Sequence, residues 1–99
     1  IYPGMISIGN NVTIGSNAMV FAHYNPTANA FLKENGYPRE VKKVTINDGA
    51  VIGPGSIITA GTTIGKNSII GAGSVVSNEI PDCSVAIGNP ARVIKKIKF

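Results

Sequence analysis

Aliphatic residues recur along the chain with a period of six. Two runs hold only Ile or Val at this spacing, and a segment without the period separates them. The nine positions are Ile8, Ile14, Val20, Ile46, Ile52, Ile58, Ile64, Ile70 and Val76. Because a helix repeats about every 3.6 residues and a strand every two, a period of six predicts a short strand plus a turn in each unit.

The residues that follow each aliphatic position support this prediction. Three positions later stands Gly or Asn in seven of the nine units, with His23 and Glu79 as the exceptions. Gly and Asn enter left-handed backbone conformations at low cost, as a sharp turn requires. A small residue usually comes next, except at Tyr24 and Ile80, where the regular pattern breaks.

Six-residue units of this kind resemble those of the left-handed parallel β-helix, in which three flat faces make one coil of eighteen residues. We therefore expect an all-β domain over residues 1–99 with about three coils, in which Ile64 lies over Ile46 and Ile70 over Ile52. A stack this short leaves both end coils without a neighbour, so we expect it to form oligomers. The chain begins at Ile1 inside an apparent half-repeat, and we expect a short or trimmed form of a longer protein.

The charge is concentrated outside the regular repeats. The net charge is +4, and of the nine Lys and Arg residues four lie in 33–43 and four in a basic tail at 92–98. Basic residues interleaved with aromatic residues, which nucleic-acid binding favours, are missing. A small phosphate-bearing molecule near the tail therefore fits better than a nucleic acid.

Other features of the composition narrow the class of protein. The sequence contains no run of about 18 apolar residues, the length needed to cross a membrane. We expect a cytoplasmic protein. The lone Cys83 excludes a disulfide within the chain. Since no His lies beside it, we interpret it as a small buried residue after the last regular coil.

Residues 26–43 form an insertion without the six-residue period. A long excursion from a compact fold is often functional. The insertion carries Phe31, Leu32 and Tyr37, and we expect these apolar groups to be buried against a neighbouring subunit.

His23, the only histidine, occupies a predicted corner directly before the insertion. At such a position the side chain is expected to project outward from the aliphatic interior. An imidazole changes its protonation near neutral pH, which suits a general base. We therefore predict that His23 is catalytic.

Three longer segments give the chain a more specific resemblance. Residues 46–55 read INDGAVIGPG, residues 69–81 read IIGAGSVVSNEIP, and residues 88–97 read GNPARVIKKI. These segments resemble the hexapeptide-repeat acetyltransferases, and among them the maltose, galactoside and polysaccharide O-acetyltransferases.

The resemblance implies a homotrimer with active sites between subunits, acetyl-CoA as donor, a saccharide as acceptor and no metal. It implies that His23 is the base and that the acetyl group passes directly to a hydroxyl, with no acyl-enzyme. The implied cofactor-binding residues are Ala60 and Gly61, on which we expect Ala72 and Gly73 to stack, together with Ser77, Asn78, Arg92 and Lys95. The chain also departs from the family, because many relatives have Trp at the position of Val51. Pro54 lies where relatives present a backbone N–H, which proline lacks, so the donor to the oxyanion is unassigned.

Several alternatives stay open from the sequence. The acceptor could be an amine or an amino sugar, and a noncatalytic β-helix from a larger nucleotidyltransferase fits a chain without an initial Met. A zinc enzyme like the β-helical carbonic anhydrases needs three His per metal, whereas this chain has one. Ice binding favours a long Thr ladder, but only Thr45 and Thr63 stand one coil apart before Pro81 ends the column.

Overall fold

The computed structural model describes residues 5–24, 29–36 and 40–98, and for His23, Tyr24 and Glu40 only the backbone. Among these residues the chain forms thirteen short strands and one helix. Strands β1 to β5 are Ile6–Ile8, Thr13–Ile14, Met19–Val20, His23–Tyr24 and Glu40–Val41, and helix α1 is Ala30–Glu34. Strands β6 to β11 are Val44–Ile46, Val51–Ile52, Ile57–Ile58, Thr63–Ile64, Ile69–Ile70 and Val75–Val76. The last two, β12 and β13, are Ser84–Gly88 and Ala91–Lys96.

The strands stack into the three faces of a prism. The first face holds β1, β6 and β9, the second holds β2, β7, β10, β12 and β13, and the third holds β3, β8 and β11. We number the corners in chain order: the first corner joins the first face to the second, the second corner joins the second to the third, and the third corner leads back to the first face.

The aliphatic side chains that recur every six residues point into this prism, as predicted. Ile8, Ile46 and Ile64 pair in register on the first face. Ile14, Ile52 and Ile70 do so on the second, and Val20, Ile58 and Val76 on the third. The residues of the second and third coils in these columns are almost completely buried. The expected eighteen-residue stacking is therefore confirmed.

The structure adds part of a fourth coil that the period of six does not predict. Ile80 forms a parallel bridge with Ile64, and Ala86 pairs with Ile70. Both lie sixteen residues after their partners, because the turn after β11 is two residues shorter than the turn after β8. Ile80, which the sequence presents as an exception at a small-residue position, is thus a core residue of the next coil.

Cys83 lies at the first corner of this fourth coil. Its backbone φ is 55°, close to the 58° of Asn11 and the 56° of Asn67 at the same corner. Its exposure is intermediate, so the prediction of a buried residue beyond the last coil is wrong on both counts. The chain simply continues its repeat with a cysteine at a turn that Asn or Gly occupies in the earlier coils.

The small residues inside the turns contribute hydrogen bonds as well as space. Ser68 Oγ donates to Pro81 O at 2.6 Å, and Ser74 Oγ donates to Gly71 O at 2.7 Å and accepts from Gly88 N at 3.1 Å. Ser56 and Thr62 donate to carbonyls of the coil above them. Within the described residues no buried side-chain N or O atom lacks a partner. The hydroxyls therefore connect successive coils at the corners.

The basic tail is a strand of the second face. Strand β13 pairs antiparallel with β12, and Ile97 N donates to Cys83 O at 2.7 Å beyond the end of β13. The expected tail is therefore folded onto the prism, where the side chain of Ala91, the first residue of β13, is buried.

The insertion departs from the prism earlier than predicted. Strands β4 and β5 form its antiparallel base, which begins at His23, and Lys42 N donates to Ala22 O at 2.9 Å. It also carries a helix that the sequence reasoning missed: Asn29 Oδ1 accepts from Leu32 N at 3.0 Å and caps α1. Asn is a preferred residue at that position, which was the available signal. Tyr37 lies outside the described residues.

Candidate active site

The third corner brings the predicted base close to half of the predicted cofactor residues. Since β3, β8 and β11 are neighbours on the third face, the segments that follow them lie above one another. The segment after β3 carries His23, the turn after β8 carries Ala60 and Gly61, and the turn after β11 carries Ser77 and Asn78. These five residues are therefore grouped along one edge of the prism.

His23 follows β3 at this corner, as the sequence predicts, but it lies in a strand and not in a turn. Its backbone pairs with Val41 across the base of the insertion. The insertion begins before a turn can close, so the chain stays extended. Because the structure describes only the backbone of His23, the outward direction of its imidazole stays a prediction.

Lys42 is a residue of this edge that the sequence reasoning missed. A Cβ atom added to Gly61, whose φ is +85°, would lie 3.4 Å from Lys42 Cδ and 3.7 Å from Lys42 Cβ. The alkyl stem of Lys42 therefore runs beside the Ala60–Gly61 turn, and its backbone is held by Ala22. The spacing of about one coil between Lys42 and Gly61 was the signal that could have identified it.

The second predicted small-residue turn, at Ala72 and Gly73, lies at a different corner. Gly73 N donates to Pro54 O at 2.9 Å, and Gly55 N below it donates to Ser16 O at 2.9 Å. The Ala72–Gly73 turn thus stacks on Pro54 and Gly55 at the second corner, and not on Ala60–Gly61 as we expected from the sequence. A Cβ added at Gly55 or Gly73 would meet nothing within 4 Å. This edge is therefore open to a ligand that approaches the backbone.

Arg92 and Lys95 lie on exposed positions of β13. Arg92 is opposite Ile87 and Lys95 is opposite Val85 on β12. Arg92 is near the second corner, because Gly71 leaves the space that Ile87 fills and the next residue, Gly88, donates to Ser74 Oγ. Arg92 therefore belongs with Ala72 and Gly73, on the far side of the third face from His23, whereas Lys95 lies farther along the second face, towards the first corner.

A single chain thus divides the predicted site into two groups. His23, Lys42, Ala60, Gly61, Ser77 and Asn78 lie at the third corner, and Ala72, Gly73 and Arg92 lie at or near the second, with Lys95 farther along the second face. Pro54 also lies at the second corner, where its carbonyl accepts from Gly73 N. Val51 is half-buried on the outer side of the second face, in register with Thr13 and Ile69.

The described residues hold neither a metal-binding cluster nor a membrane-spanning helix. No group of three or more His, Cys, Asp or Glu side chains is placed to hold a metal ion in the part of the chain that the structure describes. Within the same ranges, no helix has the length and apolar character needed to cross a membrane.

Two family models match the chain. Residues 43–78 match the bacterial transferase hexapeptide, six repeats, and residues 5–20 match the hexapeptide repeat of succinyl-transferase. The matches do not overlap, and together they cover more than half of the 99 residues. They flank the insertion, as the interruption of the six-residue period predicts.

Proteins similar to this chain are named as acetyltransferases. A Schizosaccharomyces pombe protein so named is 39% identical over 94 residues, which are 95% of this chain and 44% of that protein. The structure of a galactoside acetyltransferase in complex with coenzyme A has a TM-score of 0.83 and 40% identity, over 94% of this chain and 46% of that one. A maltose O-acetyltransferase from Clostridium difficile 630 has a TM-score of 0.71 and 40% identity, over 97% and 61%.

This chain therefore spans about half the length of the first relatives that it matches. The similarity nevertheless extends over nearly all of its own residues and both of its repeat blocks. The expected left-handed parallel β-helix is confirmed, and the chain belongs to the hexapeptide-repeat acetyltransferase family.

Proposed function

We propose that this protein is an acetyl-CoA-dependent O-acetyltransferase that acts on a hydroxyl of a saccharide, with His23 as the general base. The observation that carries the proposal is the third corner, where the strand of His23 lies beside two turns predicted to bind the cofactor. The similarity to a galactoside acetyltransferase in complex with coenzyme A supports the donor, and the similarity to a maltose O-acetyltransferase supports a sugar acceptor.

The proposed reaction is a direct transfer. The imidazole of His23 accepts the proton of the acceptor hydroxyl while the oxygen attacks the thioester carbonyl carbon. The tetrahedral intermediate collapses with cleavage of the C–S bond, and the thiolate of coenzyme A leaves and is protonated. Holding both substrates in one cleft lowers the barrier through proximity, and no covalent enzyme intermediate is needed.

The proposed cofactor site uses backbone and charge rather than metal. The open turns at Gly55 and Gly73 allow pantetheine to approach the main chain along the second corner. Ala60, Gly61, Ser77 and Asn78 line the third corner, and Arg92 and Lys95 provide positive charge for the phosphate groups. A donor of this kind suits a cytoplasmic location, which is part of the proposal.

A homotrimer is the assembly that the outer surfaces of the prism suit. The outer side of the first face is polar, with Ser7, Thr45 and Thr63 in register. The outer sides of the other two faces are mainly apolar: Thr13, Val51 and Ile69 on the second, and Met19, Ile57 and Val75 on the third. Two apolar sides on one protomer suit a ring in which each copy contacts two neighbours through different surfaces.

The insertion supports the same assembly. Phe31 on α1 is 70% exposed in the single chain, which is a large exposure for an aromatic side chain. We propose that α1 packs against a neighbouring protomer, as we expect from the sequence.

The experiment that tests the function measures release of the coenzyme A thiol with acetyl-CoA and a panel of neutral sugars, amino sugars and simple amines. We expect turnover with sugar hydroxyls and a loss of at least about 100-fold in kcat for His23→Ala, the size of a general-base contribution. Calorimetry with coenzyme A should give the same affinity for both proteins, because His23 acts on the acceptor.

His23→Gln is the matched variant, since it keeps a polar side chain without an efficient base. Turnover by His23→Ala at the unaltered rate would exclude His23 as the base. Turnover restricted to amines would replace the O-acetyltransferase by an N-acetyltransferase. If the unaltered protein neither binds coenzyme A nor releases its thiol, the catalytic proposal fails and a noncatalytic β-helix replaces it.

A further inference from the structure

Phe21 is an exposed aromatic residue on the rigid part of the prism. Its side chain is 44% exposed, whereas Val20 packs against the core and Ala22 is buried. Because neighbouring residues of an extended chain point to opposite sides, the ring of Phe21 points outward. Phe31 on the insertion is the only other aromatic side chain that the structure describes. The prism therefore presents one aromatic ring at its surface within the described residues.

Backbone hydrogen bonds fix the position of this ring on the third face. Phe21 N donates to Ile58 O at 2.8 Å, and Thr59 N donates to Val76 O at 3.0 Å. These bonds extend the register of the third face by one residue. Phe21, Thr59 and Ser77 consequently form an outer row at the third corner, one residue from each of three stacked coils. With about 4.8 Å between neighbouring strands, the ends of this row are about 10 Å apart.

The row connects the two halves of the proposed reaction. Ser77, at one end, belongs to the proposed cofactor site. At the other end, Phe21 precedes the proposed base by two residues, and His23 is in an extended strand. Two residues of extended chain span about 7 Å, which is about the width of a sugar ring. A sugar bound at Phe21 would therefore lie next to the base, with the donor farther along the same row.

The chemistry of the row suits a sugar ring. A pyranose has C–H groups on its faces and hydroxyls around its rim. The face of an aromatic ring carries the negative part of its quadrupole, which attracts such C–H groups. Thr59 Oγ1 donates to Val76 O at 3.1 Å, so its lone pairs can accept from a rim hydroxyl. An apolar surface beside a few oriented polar groups is typical of a small-molecule site.

We infer that Phe21 binds the acceptor: its ring stacks on the apolar face of a pyranose and holds one rim hydroxyl beside His23. The inference deepens the proposed function and rests on it, because it names cyclic sugars as the preferred acceptors. Acyclic polyols and simple amines have no ring face to stack, so they gain nothing from Phe21.

The test has to separate a contact with substrate from a contact between subunits. The neighbouring outer row of the third face, Met19, Ile57 and Val75, is part of the surface that we propose to contact another protomer. Met19 is 52% exposed and lies two residues before Phe21, on the same side of the same extended segment. Met19→Leu, which conserves volume, is therefore the matched control.

Steady-state kinetics with methyl glucopyranoside and with sorbitol, its acyclic counterpart, measure the effect. Phe21→Ala should raise the KM for the pyranoside about tenfold. Phe21→Leu, which is apolar without a ring, should raise it at least about threefold, and Phe21→Tyr should keep it within about twofold. Both kcat and the affinity for coenzyme A should stay within about twofold, because the ring binds substrate and transition state equally. Turnover of sorbitol should be the same for all of these variants, and Met19→Leu should behave like the unaltered protein.

A second measurement does not depend on turnover. The chain contains no Trp, so Phe21→Trp introduces a single indole at the proposed site. Its fluorescence emission should change when methyl glucopyranoside is added in the presence of coenzyme A. Sorbitol at the same concentration should leave the emission unchanged.

Several results would overturn the inference and leave the proposed function intact. They are a KM for Phe21→Ala within about twofold of the unaltered value, an equal rise for Met19→Leu, and an indole emission that does not respond to the pyranoside. A smaller particle for Phe21→Ala in sedimentation would likewise overturn it, since Phe21 would then be a subunit contact. Absence of transfer to any saccharide by the unaltered protein would instead reject the proposed function itself.

Discussion

The first coil and the second coil carry the same six-residue pattern but bury it differently. Ile8 and Ile14 of the first coil are 49% and 42% exposed, whereas Ile46 and Ile52, which stack on them, are each 1% exposed. The second coil has a neighbour above and below, and the first coil has a neighbour on one side only among the described residues. The period therefore determines which way a side chain points, and the stacking determines how much of it is buried.

The other end of the prism is covered by the partial fourth coil and the β12–β13 hairpin. The third coil is overlaid by Ile80 and Ala86 of the fourth coil, and the β12–β13 hairpin adds the buried Ala91. Ile64 and Ile70 are consequently buried as deeply as the residues of the second coil. A partial coil with a hairpin is thus sufficient to complete the core.

The largest expected difference between the coils concerns their isoleucines. Ile52→Ala leaves a cavity between two coils and should lower the free energy of unfolding by about 4 kcal/mol. Ile14→Ala removes the same atoms from a half-exposed position in the same column and should cost less than about 1.5 kcal/mol. Denaturant unfolding at a fixed protein concentration measures both. Equal losses would show that another part of the assembly covers the first coil.

Glycine substitutions should differ less between the two coils, because a glycine of the first coil is packed as closely as one of the second. A Cβ at Gly53 would lie 2.6 Å from Ile70 O, and one at Gly15 would lie 2.5 Å from Pro54 N. Both face the coil above, so Gly53→Ala and Gly15→Ala should each destabilise by about 1–3 kcal/mol. Thermal unfolding of the two variants compares them. A neutral Gly15→Ala would mean that the first coil is loosely attached to the second.

The buried hydroxyls should give the smallest effect. Ser68→Ala removes a donor to Pro81 O and an acceptor for Ser84 N, and should cost about 1–2 kcal/mol. Ala18→Ser is the reverse change at a small-residue position of the first coil and should alter stability by less than about 0.5 kcal/mol. Chemical denaturation can resolve the two. A neutral Ser68→Ala would show that the hydroxyl only fills space.

Much of the fold could be predicted from the sequence because each unit is local. The inward columns, the Asn and Gly turns and the position of the insertion all follow from residues within six positions of one another. The fourth coil could not be predicted in this way, since the turn before Ile80 is two residues shorter than the period of six requires. Only stacking on Ile64 reveals that the repeat continues.

The sequence proposes the candidate site as a list of residues, and only the structure gives their arrangement. Ala60–Gly61 and Ala72–Gly73 look alike in sequence, yet they lie at different corners because they are not separated by a whole coil. His23 was identified by its position before the insertion, although its strand pairing with Val41 depends on the distant β5. Lys42 came to light only through its contact with Gly61.

The sequence by itself determined the repeat of short strands and turns, because one aliphatic residue every six positions, followed by Asn or Gly, fits neither a helix nor an alternating strand. It also supplied the single imidazole and the cations of the last strand. The tertiary structure decided where each cation lies on the second face and which turns share an edge. Those outcomes depend on register, and one unpaired residue such as Ile94 changes register without changing the local pattern.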